Sequence, residues 1–133
     1  MGARIVVAGA VIAGGRLLIA QRRRPPELAG RWELPGGKVA DGETDAAALV
    51  RELDEELGVT VAVGRQLPGE VALTGDAVLR AYLVTLLDGV PEPRDHRALR
   101  WVTGDELAGV DWVPADRGWL PALSALLRPC GRA

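Results

Sequence analysis

The chain has 133 residues, 48% of them hydrophobic and 26% charged, and a formal net charge of −2. One domain with its own core fits that length, and the near balance of charge excludes a global field drawing in a nucleic acid polymer. The single cysteine, Cys130, excludes an intrachain disulfide framework and agrees with a reducing cytoplasm.

Residues 4–13 and 16–21 are β-branched and aliphatic runs around Gly14-Gly15, which predicts a hairpin. The first run is too short to span a bilayer, so neither a membrane segment nor a targeting leader is expected. Arg22-Arg23-Arg24-Pro25-Pro26 then breaks the strand and opens a loop to Arg31. Residues 32–34 form a short apolar segment stopped by Pro35-Gly36-Gly37, where paired glycines let the backbone turn tightly and approach a ligand. Further on, 59–63, 71–74 and 78–87 read as strands, the last apolar enough to be buried on both faces. A strand at 98–102, one helical turn at 105–108 and a loop at 114–118 follow. Pro121 then suits the first position of a final helix with Leu123, Leu126 and Leu127 inward. Strands dominate early and helices come singly, so the expected class is α+β, a mixed sheet flanked by helices, with residues 1–133 as a single domain.

The informative stretch lies between. Thr44 is a natural N-cap, Asp45 suits the positive helix end, and Gly58 is a left-handed terminator. Wound as a helix, 44–57 puts Ala46, Val50, Leu53 and Leu57 on a buried stripe and Glu52, Glu55 and Glu56 on the opposite side. Like charges three and four residues apart repel. Apart from Arg51, no basic residue on the helix relieves them, and a hard divalent cation wants several carboxylate oxygens.

Gly37, then Glu43, Arg51-Glu52-Leu53, Glu55-Glu56 and Gly58-Val59, with the spacings found here, match the Nudix box at every specified position. With LIAQR, WELPGGK and a distal WVPAD loop, the chain resembles MutT-type nucleoside triphosphate pyrophosphohydrolases from about residue 4 to residue 127. The resemblance implies an α/β/α sandwich, a cytoplasmic monomer or homodimer, and cleavage of a (deoxy)nucleoside triphosphate to the monophosphate and pyrophosphate. Within that type it is most similar to the small bacterial enzymes acting on CTP and dCTP or their damaged forms, with 8-oxo-dGTP as the alternative.

Site residues follow from the same resemblance. Glu52, Glu55 and Glu56, with the carbonyl of Gly37, are expected to bind Mg²⁺, or Mn²⁺ in its place; Glu52 also matches a position often assigned as general base. Glu43 and Arg51 are expected to be structural, an Arg fork tethering loop to helix. Asp95 matches an acidic residue that reaches the metal or its water, and the neighbouring His96 is expected to be structural. Substrate contacts are expected from Arg22 and Lys38 to phosphate, and from Leu34 and Asp116. Asp116 matches the side chain that reads the base edge, where the guanine-oxidation enzyme carries Asn. An ionised Asp only accepts hydrogen bonds, which favours the amino group of cytosine; its rival role is to cap a helix from Trp119 onward. A sensor that binds nucleotide without turnover is the alternative of another class, and the intact box argues against it. The region Leu73-Thr74-Gly75-Asp76 lacks the Pro or Tyr that marks ADP-ribose and dinucleoside polyphosphate enzymes.

Overall fold

A computed structural model describes residues 4–128, so Cys130 lies outside the described residues. Arg4–Ala13 (β1) turns through Gly14 and Gly15 into Arg16–Gln21 (β2). Both glycines have positive φ, 58° and 76°, as a two-residue turn matched to strand twist requires. Trp32–Glu33 (β3), Gly36–Lys38 (β4) and the helix Asp45–Leu57 (α1) come next. Then follow Thr60–Gln66 (β5), Val71–Ala72 (β6), Ala77–Asp88 (β7) and Ala98–Val102 (β8). Two 3-10 helices, Gly104–Gly109 and Pro114–Trp119, lead into the short helix Leu120–Leu126 (α2).

β1 and β7 run parallel from Arg4↔Ala77 to Val11↔Val84 and form the centre. β4 adds to β1 antiparallel, and β5 and β6 add to β7 antiparallel. β2 carries the chain out of this sheet through the hairpin tip and pairs with β3 and, along its length, β8. Alternate residues serve opposite layers. Val7 and Val11 pack with Leu49, Leu53 and Leu57 of α1, whereas Ala8 and Ala10 pack with Trp112, Trp119 and Leu123 on the other side. Gly9 shares the α1 side, where a Cβ would stand 3.0 Å from Val84 Cγ2 and 3.4 Å from Leu53 Cδ1. Its bareness lets the helix settle on the sheet. The result is the expected α/β/α sandwich about a mixed sheet.

Four local expectations change. The strand of residues 32–33 does end before Pro35-Gly36-Gly37, but Gly36–Lys38 is itself a strand rather than a turn, paired with β1 so closely that a Cβ at Gly36 would overlap the Val7 carbonyl oxygen. Residues 114–118 belong to a 3-10 helix rather than a loop, entered through Pro114. β7 is not buried throughout: Leu79, Ala81 and Val84 are buried, while Arg80 is half-exposed and Leu87 is exposed. In α1, Thr44 caps by accepting the Ala47 N–H and Gly58 closes the helix at φ 71°, as expected, but the buried stripe is Ala48, Leu49, Leu53 and Leu57. Ala46 is exposed and Val50 is 36% exposed. The rotation matters. At 100° per residue, Glu56 lies about 60°, Glu52 about 100° and Glu55 about 160° from the line through the centre of Leu49, Leu53 and Leu57. Only Glu55 therefore faces away from the core.

Candidate active site

One backbone span crosses the end of the sheet and arranges the site. Trp32 N–H donates to the Asp111 carbonyl and Val113 N–H to the Trp32 carbonyl, both at 2.9 Å. Leu34 N–H donates to Asp116 Oδ2 at 2.8 Å, and Gly9 N–H to the Pro35 carbonyl at 2.8 Å. Trp32 packs on the core behind this span.

The acidic flank of α1 sits beneath the span. The Glu52 carboxylate lies against Gly37, where any Cβ would overlap it. Arg51 grips Glu43 with two bonds, Nε to Oε2 at 2.8 Å and Nη2 to Oε1 at 2.9 Å, and donates to the Lys38 carbonyl at 3.0 Å. This fork ties the loop before the helix to its middle turn. Arg51, then the Ala40 N–H, hold the Glu43 carboxyl down at about 2; the same partnership raises the pKa of Arg51. Arg51 Nη1 also lies 3.2 Å from Glu52 Oε2 and 3.5 Å from Glu55 Oε1, relieving part of the repulsion.

Glu56 is not relieved. It is half-buried, and among the described residues its buried Oε1 has no hydrogen-bond partner. Burial first, then the charges of Glu52, Asp95 and Glu33, push its carboxyl up to about 7, against an opposing effect of His96. The expected exposed acidic face is thus partly sunk into the protein.

Glu56 opens into a cleft of about 130 Å³ shared with Arg22, Arg24, Glu33, Asp95 and His96. Asp95 is held by Arg24 at 3.0 Å, an exposed pair. Arg22 binds Glu33 Oε1 at 2.8 Å and the Arg24 carbonyl at 2.9 Å. His96 is buried, with Nε2 on Glu33 Oε2 at 3.0 Å. Arg22 and Glu33 also line an adjoining cavity with Leu34, Gly37, Lys38 and Asp116. A wider hollow of about 370 Å³ beside it is walled by Leu28, Leu73, Leu79, Ala115 and Asp116.

Asp116 is 3% exposed. Burial, reinforced by the Glu33 charge, pushes its carboxyl up to about 7 although the Leu34 N–H pulls the other way. The upward shift makes its protonated form accessible much nearer neutrality than for an ordinary carboxyl, so it is not restricted to accepting hydrogen bonds. The rival capping role is corrected: Asp116 Oδ2 accepts from the Leu34 N–H, and among the described residues α2 has no side-chain cap.

Glu33 did not stand out in the sequence. A carboxylate between Trp32 and Leu34 breaks the apolar run, and that is the only local sign that it faces a polar site. Asp45 was read as a dipole partner, yet it also anchors the helix start to β7 through Tyr82 Oη at 2.6 Å and Arg80 Nη1 at 3.1 Å.

The donor chemistry suits a divalent cation: hard carboxylate oxygens, one orphaned and buried, beside a glycine that admits close approach. The arrangement is open. Glu55 is 58% exposed and turned toward Arg51, and among the described residues no three His, Cys, Asp or Glu groups already enclose a common centre.

A sandwich with an acidic helix flank opposite arginines, next to a wider, mostly apolar-walled hollow, fits a hydrolase of nucleotide phosphoanhydrides. Residues 3–123 match the NUDIX domain, and the chain belongs to that family as a MutT-type Nudix hydrolase. It is similar to a Mycobacterium tuberculosis protein provisionally named 8-oxo-dGTP diphosphatase 2, 63% identical over 93% of this chain and 90% of that one. It is similar also to the Escherichia coli CTP pyrophosphohydrolase, 37% identical over 91% of each chain. Among solved structures, the solution structure of the E. coli ORF135 protein superposes with a TM-score of 0.81 at 34% identity, covering 98% of this chain and 96% of that one. Nudix hydrolases generally need a divalent metal ion. Among the described residues no helix is long and apolar enough to cross a membrane.

Proposed function

We propose that the protein hydrolyses (deoxy)nucleoside triphosphates to the monophosphate and pyrophosphate with Mg²⁺, for which Mn²⁺ can substitute, and so cleanses the cytoplasmic nucleotide pool. The observation that carries this reading is the unpartnered, buried Glu56 Oε1 in a cleft that faces Arg22 and Arg24. Glu52, Glu55 and Glu56, with the Gly37 carbonyl, would hold the ion, Glu55 swinging in from its exposed position. When bound, the ion neutralises the triphosphate and the attacking water. Arg22 and Lys38 bind phosphate. Asp95, steadied by Arg24, holds water at the edge of the cleft, and Glu52 is a candidate to take its proton. Glu43 and Arg51 act on the acidic residues only by keeping the loop on the helix. Most of the rate enhancement comes from positioning and charge.

The base lies in the hollow beside Leu34 and Asp116. One Asp116 oxygen is committed to Leu34, so the other reads the base. Ionised, it accepts from cytosine N4 or from N7–H of 8-oxoguanine; protonated, it donates to O6. The upward shift of Asp116 weakens the objection to guanine, and the name of the 63%-identical relative supports 8-oxo-dGTP as a substrate on a par with CTP. The name of the 37%-identical relative equally supports CTP and dCTP. A panel of common and oxidised triphosphates, with products resolved and a chelator control, tests both. Pyrophosphate release from none of them overturns the reading in favour of a nucleotide sensor.

A further inference from the structure

We propose that Glu33 and His96 form a positioning pair that aims Arg22 at the substrate's phosphates. This rests on the reading of Arg22 as a phosphate contact. Arg22 follows β2 directly and carries a long side chain with many rotamers. Glu33 limits them by spending one oxygen on each neighbour: Oε1 takes Arg22 Nη1 at 2.8 Å and Oε2 takes His96 Nε2 at 3.0 Å. With both oxygens engaged, the plane of the carboxylate is fixed. Arg22 Nε is fixed too, by the Arg24 carbonyl at 2.9 Å. Among the described residues Arg22 Nη2 has no hydrogen-bond acceptor, which leaves it for a phosphate oxygen.

The far end of the pair is rigid. Next to His96, Arg97 N–H donates to the carbonyl of Gln21, the residue before Arg22, at 2.8 Å. His96 is 6% exposed, and among the described residues its buried Nδ1 has no partner. The one side-chain hydrogen bond of the ring is therefore the one to Glu33. Packing alone would be served better by an apolar side chain, which leaves no orphaned nitrogen. Arg22 and Glu33 stand where the Glu56 cleft meets the Asp116 cavity, so a guanidinium held there serves the phosphates nearest the ribose.

The test compares His96→Phe, which keeps bulk and loses the donor, with His96→Gln, which keeps a donor and loses the ring. It reads kcat and KM for 8-oxo-dGTP and CTP, and the Kd of a non-hydrolysable triphosphate analogue. Because Arg22 acts on ground and transition states alike, His96→Phe is expected to raise KM and Kd roughly tenfold, the usual worth of a hydrogen bond to a charged group, with kcat within about twofold. His96→Gln should recover most of that loss. In an Arg22→Ala background, His96→Phe should add nothing. Parent KM in His96→Phe, no recovery in His96→Gln, or full additivity with Arg22→Ala each overturns the pair while leaving the proposed activity standing. Parent KM and Kd in Arg22→Ala overturns the phosphate reading of Arg22, and the pair with it.

Discussion

Replacing Glu56 by Gln separates what this residue costs the fold from what it does for the reaction. Its carboxyl titrates at about 7 instead of the ordinary 4.5, chiefly because burial disfavours the anion. The unfolded chain therefore releases this proton near pH 4.5 and the folded chain only near 7. Between those values the unfolded state binds fewer protons, so stability falls as pH rises through the window. At 1.36 kcal/mol per unit the shift amounts to roughly 3 kcal/mol. Solvent still reaches the half-buried group and screens it, which leaves about 2 kcal/mol. Gln keeps the shape and stays neutral. In chelator at pH 8 the variant should be about 2 kcal/mol more stable than the parent, a rise in Tm of roughly 6 °C. At pH 4.5 the two should melt together. Added Mg²⁺ should stabilise the parent and barely affect the variant, whose turnover should drop at least about a hundredfold. Circular-dichroism melts at both pH values, with chelator or Mg²⁺, and a pyrophosphate-release assay give the readings. A variant no more stable than the parent at pH 8 in chelator would refute a buried unpaired anion. Turnover at the parent rate would refute Glu56 as a metal ligand.

The carboxyl of Asp116, near 7, predicts that the ratio of 8-oxo-dGTP to CTP turnover rises as pH falls from about 8 to about 6. Protonation supplies the donor that O6 needs, and competition assays on Asp116→Asn should give a ratio that no longer changes with pH. Gly37→Ala should cut kcat by roughly a hundredfold, because the new Cβ overlaps the Glu52 carboxylate; a variant with normal kcat would show that Glu52 need not stay there. Arg51→Lys keeps the charge and loses the two-pronged grip on Glu43. It should lower kcat about tenfold with a weaker response to Mg²⁺ in titrations, whereas an unchanged titration would dissociate the fork from the site.

Much of the frame can be read from local signals. Gly14-Gly15, Thr44 and Gly58 each meet a backbone requirement by themselves, so the hairpin and the ends of α1 are legible without tertiary knowledge. The face of α1 is not. Leu53 and Leu57 belong equally to a stripe with Ala46 and Val50 and to one with Leu49, and only the sheet, with Gly9 making room, selects the second. That choice decides which glutamates are buried. Nor does sequence reveal that Asp116 is sealed in, because Leu34, whose N–H donates to its carboxylate, is 82 positions away in the chain. Glu33 and His96, 63 positions apart, meet only because β2 pairs with both β3 and β8.

The stitching of residues 32–38 to the Asp111–Asp116 region gives the molecule a built-in gauge. Trp32 and Leu34 fasten one end of the span to Val113 and Asp116, and β4 fastens the other to β1 beside the acidic helix. The distance between the proposed recess for the base and the proposed seat of the scissile anhydride is thus written into a few residues of extended chain. Remodelling the recess to admit a bulkier heterocycle pulls on the same length of backbone, so selectivity and turnover will tend to change together.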